Sequence, residues 1–137
     1  MEERITSRKN PLVQQTRKLL SSRKAREETG LFVSDGTKLL KEAAAYWKGL
    51  HTVFLSDGVE ADVPEGVRVI RVSREVMEAI SPMEAPQGAL FLCEQPEMRP
   101  PQALPGSRYL VLDGLQDPGN VGTIWRTADA LGADGLL

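Results

Sequence analysis

Three residue types in one short stretch could do chemistry. Within Leu112-Asp113-Gly114-Leu115-Gln116-Asp117-Pro118-Gly119-Asn120-Val121-Gly122-Thr123-Ile124-Trp125-Arg126-Thr127-Ala128, an aspartate, an asparagine and an arginine stand at 117, 120 and 126. Asp117-Pro118-Gly119-Asn120 reads as a turn, with Pro presetting the second position and Gly permitting positive φ at the third. Asn120 then falls where a helix N-cap belongs. Val121, Ile124, Trp125, Ala128 and Leu131 mark the buried face of a helix over 121–131, stopped by Gly132. Arg126 lies about 200° around the helix from Ile124 and should point away from that core. Free N–H groups at a helix start, with an arginine fork nearby, suit a phosphate or another oxyanion. A well-capped helix with a surface charge accounts for the same residues, so both readings stand on spacing alone.

The element that must position this loop is the apolar run Tyr109-Leu110-Val111-Leu112, read as a strand. Open α/β sheets place ligands at the C-terminal ends of their strands. Ala133 to Leu137 reads as the start of a further strand, with Leu136 and Leu137 lacking a partner. This predicts that the chain is the leading part of a longer protein. Upstream, Glu94 to Ser107 is a linker: four of the nine prolines (Pro96, Pro100, Pro101, Pro105) fall in ten residues.

The remaining elements follow from caps and periodicity. Asn10-Pro11 starts a helix whose buried face carries Leu12, Thr16, Leu19 and Leu20. It frays at Ser21-Ser22 or runs on to about Glu28, and Thr29-Gly30 ends it. Leu31-Phe32-Val33 is a strand and Ser34-Asp35-Gly36 a turn. Leu39, Leu40, Ala43, Ala44 and Trp47 form a helical stripe. Thr52 to Leu55 and Val67 to Val72 read as strands, Ser73 caps a helix through Ile80, and Ala89 to Cys93 is a last apolar strand. Alternating strands and helices over 30–93 indicate a small α/β sheet domain.

Charge is distributed unevenly. The net charge is −2, yet between Arg4 and Arg26 there are eight basic residues and no acidic one. From Glu27 onward nine basic residues face seventeen acidic ones, a net of −8. A basic head on an acidic body favours polyanions, nucleic acid first. The candidate contacts are Arg8, Lys9, Arg17, Lys18, Arg23, Lys24 and Arg26. A solvated helix is the other reading of the same charges.

Several classes are excluded by composition. A 41% hydrophobic, 26% charged chain of 137 residues is a soluble globular type, with room for one domain or a small domain plus part of a second. No apolar run approaches the ~20 residues of a membrane span, and Met1-Glu2-Glu3-Arg4 opens no secretory signal. Cys93 is the only cysteine and His51 the only histidine. A disulfide, a cysteine-rich or histidine metal site and a Ser-His-Asp triad are therefore unsupported, and a reducing cytoplasm fits. The glycines form neither a Walker loop nor a dinucleotide fingerprint.

Asp117 through Ala128, with Gly132 following, resembles the first signature of the SpoU-type RNA ribose 2′-O-methyltransferases of the knotted SPOUT class. Asn10-Pro11 through Arg26, Gly30-Leu31-Phe32-Val33-Ser34-Asp35-Gly36, Ser81 and Pro86-Gln87-Gly88 resemble that family's N-terminal substrate-binding domain, in the same order. Asp35 stands where the family usually has glutamate, and Trp125 is bulkier than its usual aliphatic residue.

The resemblance implies a small RNA-binding α/β domain followed by the start of an α/β-knot methyltransferase domain. Residues 1–28 would be a basic N-terminal helix, 29–94 the substrate-binding domain, 95–107 the linker and 108–137 the incomplete catalytic domain. It implies methyl transfer from S-adenosylmethionine to a ribose 2′-hydroxyl of rRNA or tRNA. Asn120 and Arg126 would be active-site residues, Arg126 activating the hydroxyl. An arginine is protonated in nearly every protein setting, so it could serve as base or as electrostatic clamp of the developing oxyanion; both stay open. The cofactor pocket is expected downstream of Leu137, so the chain alone is expected to be inactive. The whole enzyme would be a homodimer. The alternative is a non-catalytic RNA-binding module with a remnant of the methyltransferase fold.

Overall fold

The computed structural model describes residues 3–97, 99 and 102–137. Met1 and Glu2 of the chain start, and Met98, Pro100 and Pro101 of the proline-rich linker, lie outside the described residues. The chain divides into two compact units, Met1–Glu97 and Met98–Leu137.

The first unit is built on a five-stranded sheet. In chain order its elements are β1 (Glu3–Ile5), α1 (Pro11–Ser21), α2 (Arg23–Thr29), β2 (Leu31–Asp35), α3 (Thr37–Tyr46), β3 (Leu50–Ser56), β4 (Arg68–Val72), α4 (Arg74–Ile80) and β5 (Ala89–Glu94). The strand order is β1-β4-β3-β5-β2. β4 runs parallel to β1 and β3, while β5 runs antiparallel to β3 and β2. Strands β1 to β4 therefore end at one edge of the sheet, where β5 begins.

Both faces of the sheet are covered, which is why its central strands are almost continuously apolar. Along β3 and β5 the side chains alternate between the two sides. Phe54, Leu90 and Leu92 join Ile70, Val72 and the helix residues Val13, Leu19, Ala25, Val76, Met77 and Ile80. Val53, Leu55, Ala89, Phe91 and Cys93 face the other way, against Leu40, with Ala43 and Ala44 packed on their margin. Burial pushes the Cys93 thiol up to about 11, which keeps it an inert apolar filler.

Local signals placed several element ends correctly. The Asn10 side chain accepts from Leu12 N with Pro11 behind it, and Ser73 accepts from Val76 N. Gly30 takes the left-handed conformation (φ 66°) that ends α2. The basic N-terminal helix expected over 1–28 is instead a strand and two helices. Ser22 breaks it: extended at φ −123°, it ends α1 and caps α2 through Ala25 N. The inward face of α1 is Val13, Thr16 and Leu19, with Leu12 and Leu20 only half-buried. Ser34 and Asp35, expected as a turn, continue β2 because they pair with Phe91 and Leu90. Of the α3 stripe, Leu40 is buried and Ala43 and Ala44 are half-buried against the sheet, while Leu39 is 47% exposed and Trp47 lies beyond the helix end.

The second unit is a β-α-β hairpin of β6 (Tyr109–Leu110), α5 (Pro118–Ala130) and β7 (Gly135–Leu136). β6 and β7 pair in parallel, Tyr109 with Gly135 and Leu110 with Leu136. The strand expected over 109–112 is thus two residues long, although Leu112 N still bonds Leu137 O and Leu137 N bonds Leu110 O. Leu136 and Leu137, expected to be unpartnered, are the partners of β6.

Candidate functional site

Helix α5 begins three residues earlier than its apolar periodicity suggested. Asp117 is the N-cap: its carboxylate accepts from Gly119 N at 3.3 Å and from Asn120 N at 2.9 Å. Pro118 follows at the first helical position, where its missing N–H costs nothing. The expected turn is therefore the first turn of the helix, and Asn120 sits inside it rather than capping it. Both residues can cap, but the aspartate precedes the proline, and the proline is what must start the helix.

This arrangement changes the anion chemistry. An endogenous carboxylate already occupies two of the free N–H groups at the helix start, so Gly119 N and Asn120 N are not open to an outside anion. Arg126 is exposed, as are most residues of α5. Its guanidinium folds back along the helix: Nη2 donates to Thr123 Oγ1 at 3.4 Å, and a Cβ at Gly122 would lie 3.3 Å from Nη1. The Asn120 side chain is also exposed. Six residues are about 600° of helix, so the two side chains leave the axis about 120° apart. No hydrogen bond joins them among the described residues.

The apolar face predicted for α5 is only begun. Ala128 is its single buried residue, Val121 and Ile124 are half-buried, and Trp125 and Leu131 are 64% and 74% exposed. The hairpin is held at its base by Asp134, whose carboxylate accepts from the N–H groups of Ser107 and Arg108, both at 2.9 Å. Those two N–H groups hold Asp134 below the usual carboxylate range.

The basic residues of the head are not equivalent. Arg26 is structural: its guanidinium donates to the carbonyls of Leu19 and Leu20 at the end of α1. Arg23 and Lys24 pair with Glu27 and Glu28 one turn on, at 2.7 and 3.7 Å. Arg8 Nε donates to the Glu75 carbonyl in the first turn of α4. Arg17 and Lys18 on the outer face of α1, and Lys9 before it, are exposed with no acidic partner among the described residues.

A second constellation was not foreseen from spacing. The Ser81 hydroxyl donates to Asp35 Oδ2 at 2.6 Å and accepts from Met83 N at 3.1 Å. Gln87 Oε1 accepts from both the N–H and the hydroxyl of Thr37, each at 3.3 Å. Gly36 N bonds Ala89 O, and Ser56 N bonds Gly88 O. Segments set apart in the sequence, around Asp35-Gly36, Ser81 and Gln87-Gly88, are thereby fastened into one edge of the sheet. Their shared resemblance was the only signal that could have grouped them.

Comparisons with known proteins agree with both units. Residues 10–90 match the MRM3-like substrate binding domain family. The chain is 31% identical, over 98% of its length and 54% of the relative's, to the 23S rRNA (guanosine(2553)-2′-O)-methyltransferase RlmP of Bacillus subtilis. It is 38% identical to an uncharacterized tRNA/rRNA methyltransferase of Synechocystis, over 96% of this chain and 51% of that one. Among solved structures, an RNA 2′-O ribose methyltransferase superposes with a TM-score of 0.74 at 29% identity, over 97% of this chain and 54% of that one. An AdoMet-bound rRNA methyltransferase from Sinorhizobium meliloti gives 0.71 at 31%, over 98% and 53%. The chain thus spans about half the length of the relatives it matches. With the family match covering more than half of its residues, the chain belongs to the MRM3-like substrate-binding domain family of the SpoU-type RNA methyltransferases.

Proposed function

We propose that this chain is the RNA-capturing portion and first catalytic segment of an RNA ribose 2′-O-methyltransferase acting on rRNA or tRNA. The observation that carries the reading is the Asp117-capped helix with Arg126 exposed on it, in a chain whose residues 10–90 match the substrate-binding domain family. In this reading the first unit holds RNA, 95–107 is the linker, and residues 108–137 begin the methyltransferase domain. The RNA partner is supported by relatives named as rRNA and tRNA methyltransferases. A homodimer and a cytoplasmic site of action belong to the same reading. Among the described residues no helix is long and apolar enough to cross a membrane.

The methyl donor of the whole protein would be S-adenosylmethionine, which supplies an electrophilic methyl group when bound; solved relatives contain it. Val111, Leu115, Trp125 and Leu131 of the second unit stay exposed and enclose no nucleoside.

What the chain's own residues would do is narrower. A ribose hydroxyl becomes nucleophilic as its proton passes to solvent water, and negative charge grows on the 2′-oxygen until it takes the methyl group. Arg126, steadied by Thr123, would hold that charge and the neighbouring phosphate. A fixed guanidinium does this without gaining or losing a proton, so the clamp is the less demanding of the two roles. Asn120 would contribute an amide to the same rim.

The test is methylation of RNA by the full-length protein, mapped by loss of 2′-hydroxyl reactivity. Arg126→Ala should lower turnover by about 10²–10³-fold, the usual cost of one oxyanion donor, with RNA binding retained. Near-wild-type turnover would remove Arg126 from the site. A whole protein that binds RNA and methylates none would favour the non-catalytic module.

A further inference from the structure

The edge of the sheet where β2 ends carries a small cleft that the methyl-transfer reading does not use. Asp35, Gly36, Lys38, Leu39, Met83 and Gln87 line it, with a volume of about 200 Å³. It is built rather than incidental. The 81–88 loop is fastened by the Ser81–Asp35, Met83–Ser81 and Thr37–Gln87 hydrogen bonds and by Ser56 N to Gly88 O. Met83 and Leu39, both in its lining, nevertheless stand 57% and 47% exposed. Two exposed apolar side chains beside a pinned loop offer an apolar contact surface at a fixed place.

The polar groups narrow the occupant. Gln87 spends its oxygen on Thr37, so its amide N–H₂ donors remain available, with no partner among the described residues. Ser81 occupies one oxygen of Asp35, leaving the other as an acceptor. Lys38 is exposed at the rim with no acidic partner among the described residues. The volume is below that of pockets that enclose a whole small molecule, so the cleft suits one ring of a larger ligand whose remainder stays outside. A planar group with donors and acceptors on its edge, attached to an anionic chain, is an unpaired nucleotide.

We infer that this cleft is a subsite for one unstacked RNA base, packed against Leu39 and Met83, read by Gln87 and Asp35, with its phosphate on Lys38. The inference rests on the RNA-binding reading above and adds where that RNA is read. Arg17 and Lys18 then supply sequence-independent affinity, and the cleft supplies the requirement for an unpaired nucleotide.

The test compares a fluorescein-labelled unpaired RNA of mixed sequence with the same strand annealed to its complement, binding the complete chain over a range of salt. Met83→Ser and Leu39→Ser should each weaken binding of the unpaired strand about tenfold, the order expected for losing one buried apolar side-chain contact. The duplex and the salt slope should be unaffected. Gln87→Glu keeps the oxygen that fastens Thr37 and removes the donor, so it should also weaken unpaired RNA with the melting temperature retained. Lys38→Ala should instead lower the salt slope by ~0.7. Unchanged affinity in Met83→Ser and Gln87→Glu, both folded, overturns the subsite while leaving the RNA reading intact. Equal losses on duplex and single strand also overturn it. A wild-type chain that binds neither RNA overturns the RNA reading and the subsite together. Loss of a protein contact by these variants, with RNA binding intact, would make the cleft a protein-docking surface instead.

Discussion

The Ser81 hydroxyl donates a 2.6 Å hydrogen bond to Asp35 across 46 residues of chain. It joins the end of β2 to the loop that leads into β5. The same hydroxyl oxygen accepts from Met83 N, so one serine fastens both the strand end and the loop. Ser81→Ala should destabilise the first unit by about 1–3 kcal/mol, because it strands a part-buried carboxylate and an N–H. Asp35→Ala in the Ser81→Ala background should cost less than it does alone, a coupling measurable by urea denaturation. Full additivity would mean the two side chains do not act as a pair.

Asp117, not Asn120, starts α5. Asp117→Ala should remove about 1 kcal/mol of helix stability, whereas Asp117→Asn should keep most of it, since both caps rank alike. Amide hydrogen exchange at Gly119 and Asn120 reports this directly. Exchange should quicken in Asp117→Ala and not in Asn120→Ala. The opposite result would restore Asn120 as the cap.

The basic head divides into unpaired and paired charges. Arg17→Ala and Lys18→Ala should each lower the salt slope of single-stranded RNA binding by ~0.7. Arg23→Ala and Lys24→Ala should do less, because each cation is shared with a glutamate one turn away. Arg26→Ala should act mainly on stability, through the end of α1. Equal effects of all four exposed substitutions on the slope would show that the ion pairs open on binding.

Acid should loosen both units at their carboxylate clamps. Asp134 is held low by the N–H groups of Ser107 and Arg108, and Glu3 by the Arg68 guanidinium. A carboxylate whose folded pKa lies below its unfolded value contributes stability above the unfolded value and loses it as pH falls through the folded one. Melting temperature should therefore hold steady at neutral pH and fall as pH drops below the ordinary carboxylate range of about 4. Asp134→Asn should flatten the part of that fall belonging to the second unit. The Glu3–Arg68 pair, Oε1 to Nη2 at 2.6 Å, is exposed, so its share should shrink in high salt.

Residues that act on their near neighbours were legible in the sequence. Asn10 before Pro11, Ser73 before α4 and Gly30 after α2 satisfy or release backbone groups within a few positions, so their types state their roles. The apolar runs Thr52 to Leu55 and Ala89 to Cys93 announced two strands of an α/β sheet, and the run from Asp117 to Ala128 announced the candidate site.

Tertiary structure decided what depends on pairing between distant segments. β1 has three residues and one buried side chain, Ile5, too little to signal a strand; it exists because β4 offers it a parallel edge. Ser34 and Asp35 carry turn chemistry, but the register against β5 holds them extended. Charge along the head looked uniform until the fold assigned Arg26 to helix carbonyls and left Arg17 and Lys18 facing water. The cleft at Asp35, Lys38, Met83 and Gln87 has no sequence spacing at all. Residues some fifty positions apart become neighbours only when β5 lies down beside β2, because hydrogen-bond registry, not local preference, sets which side chains meet.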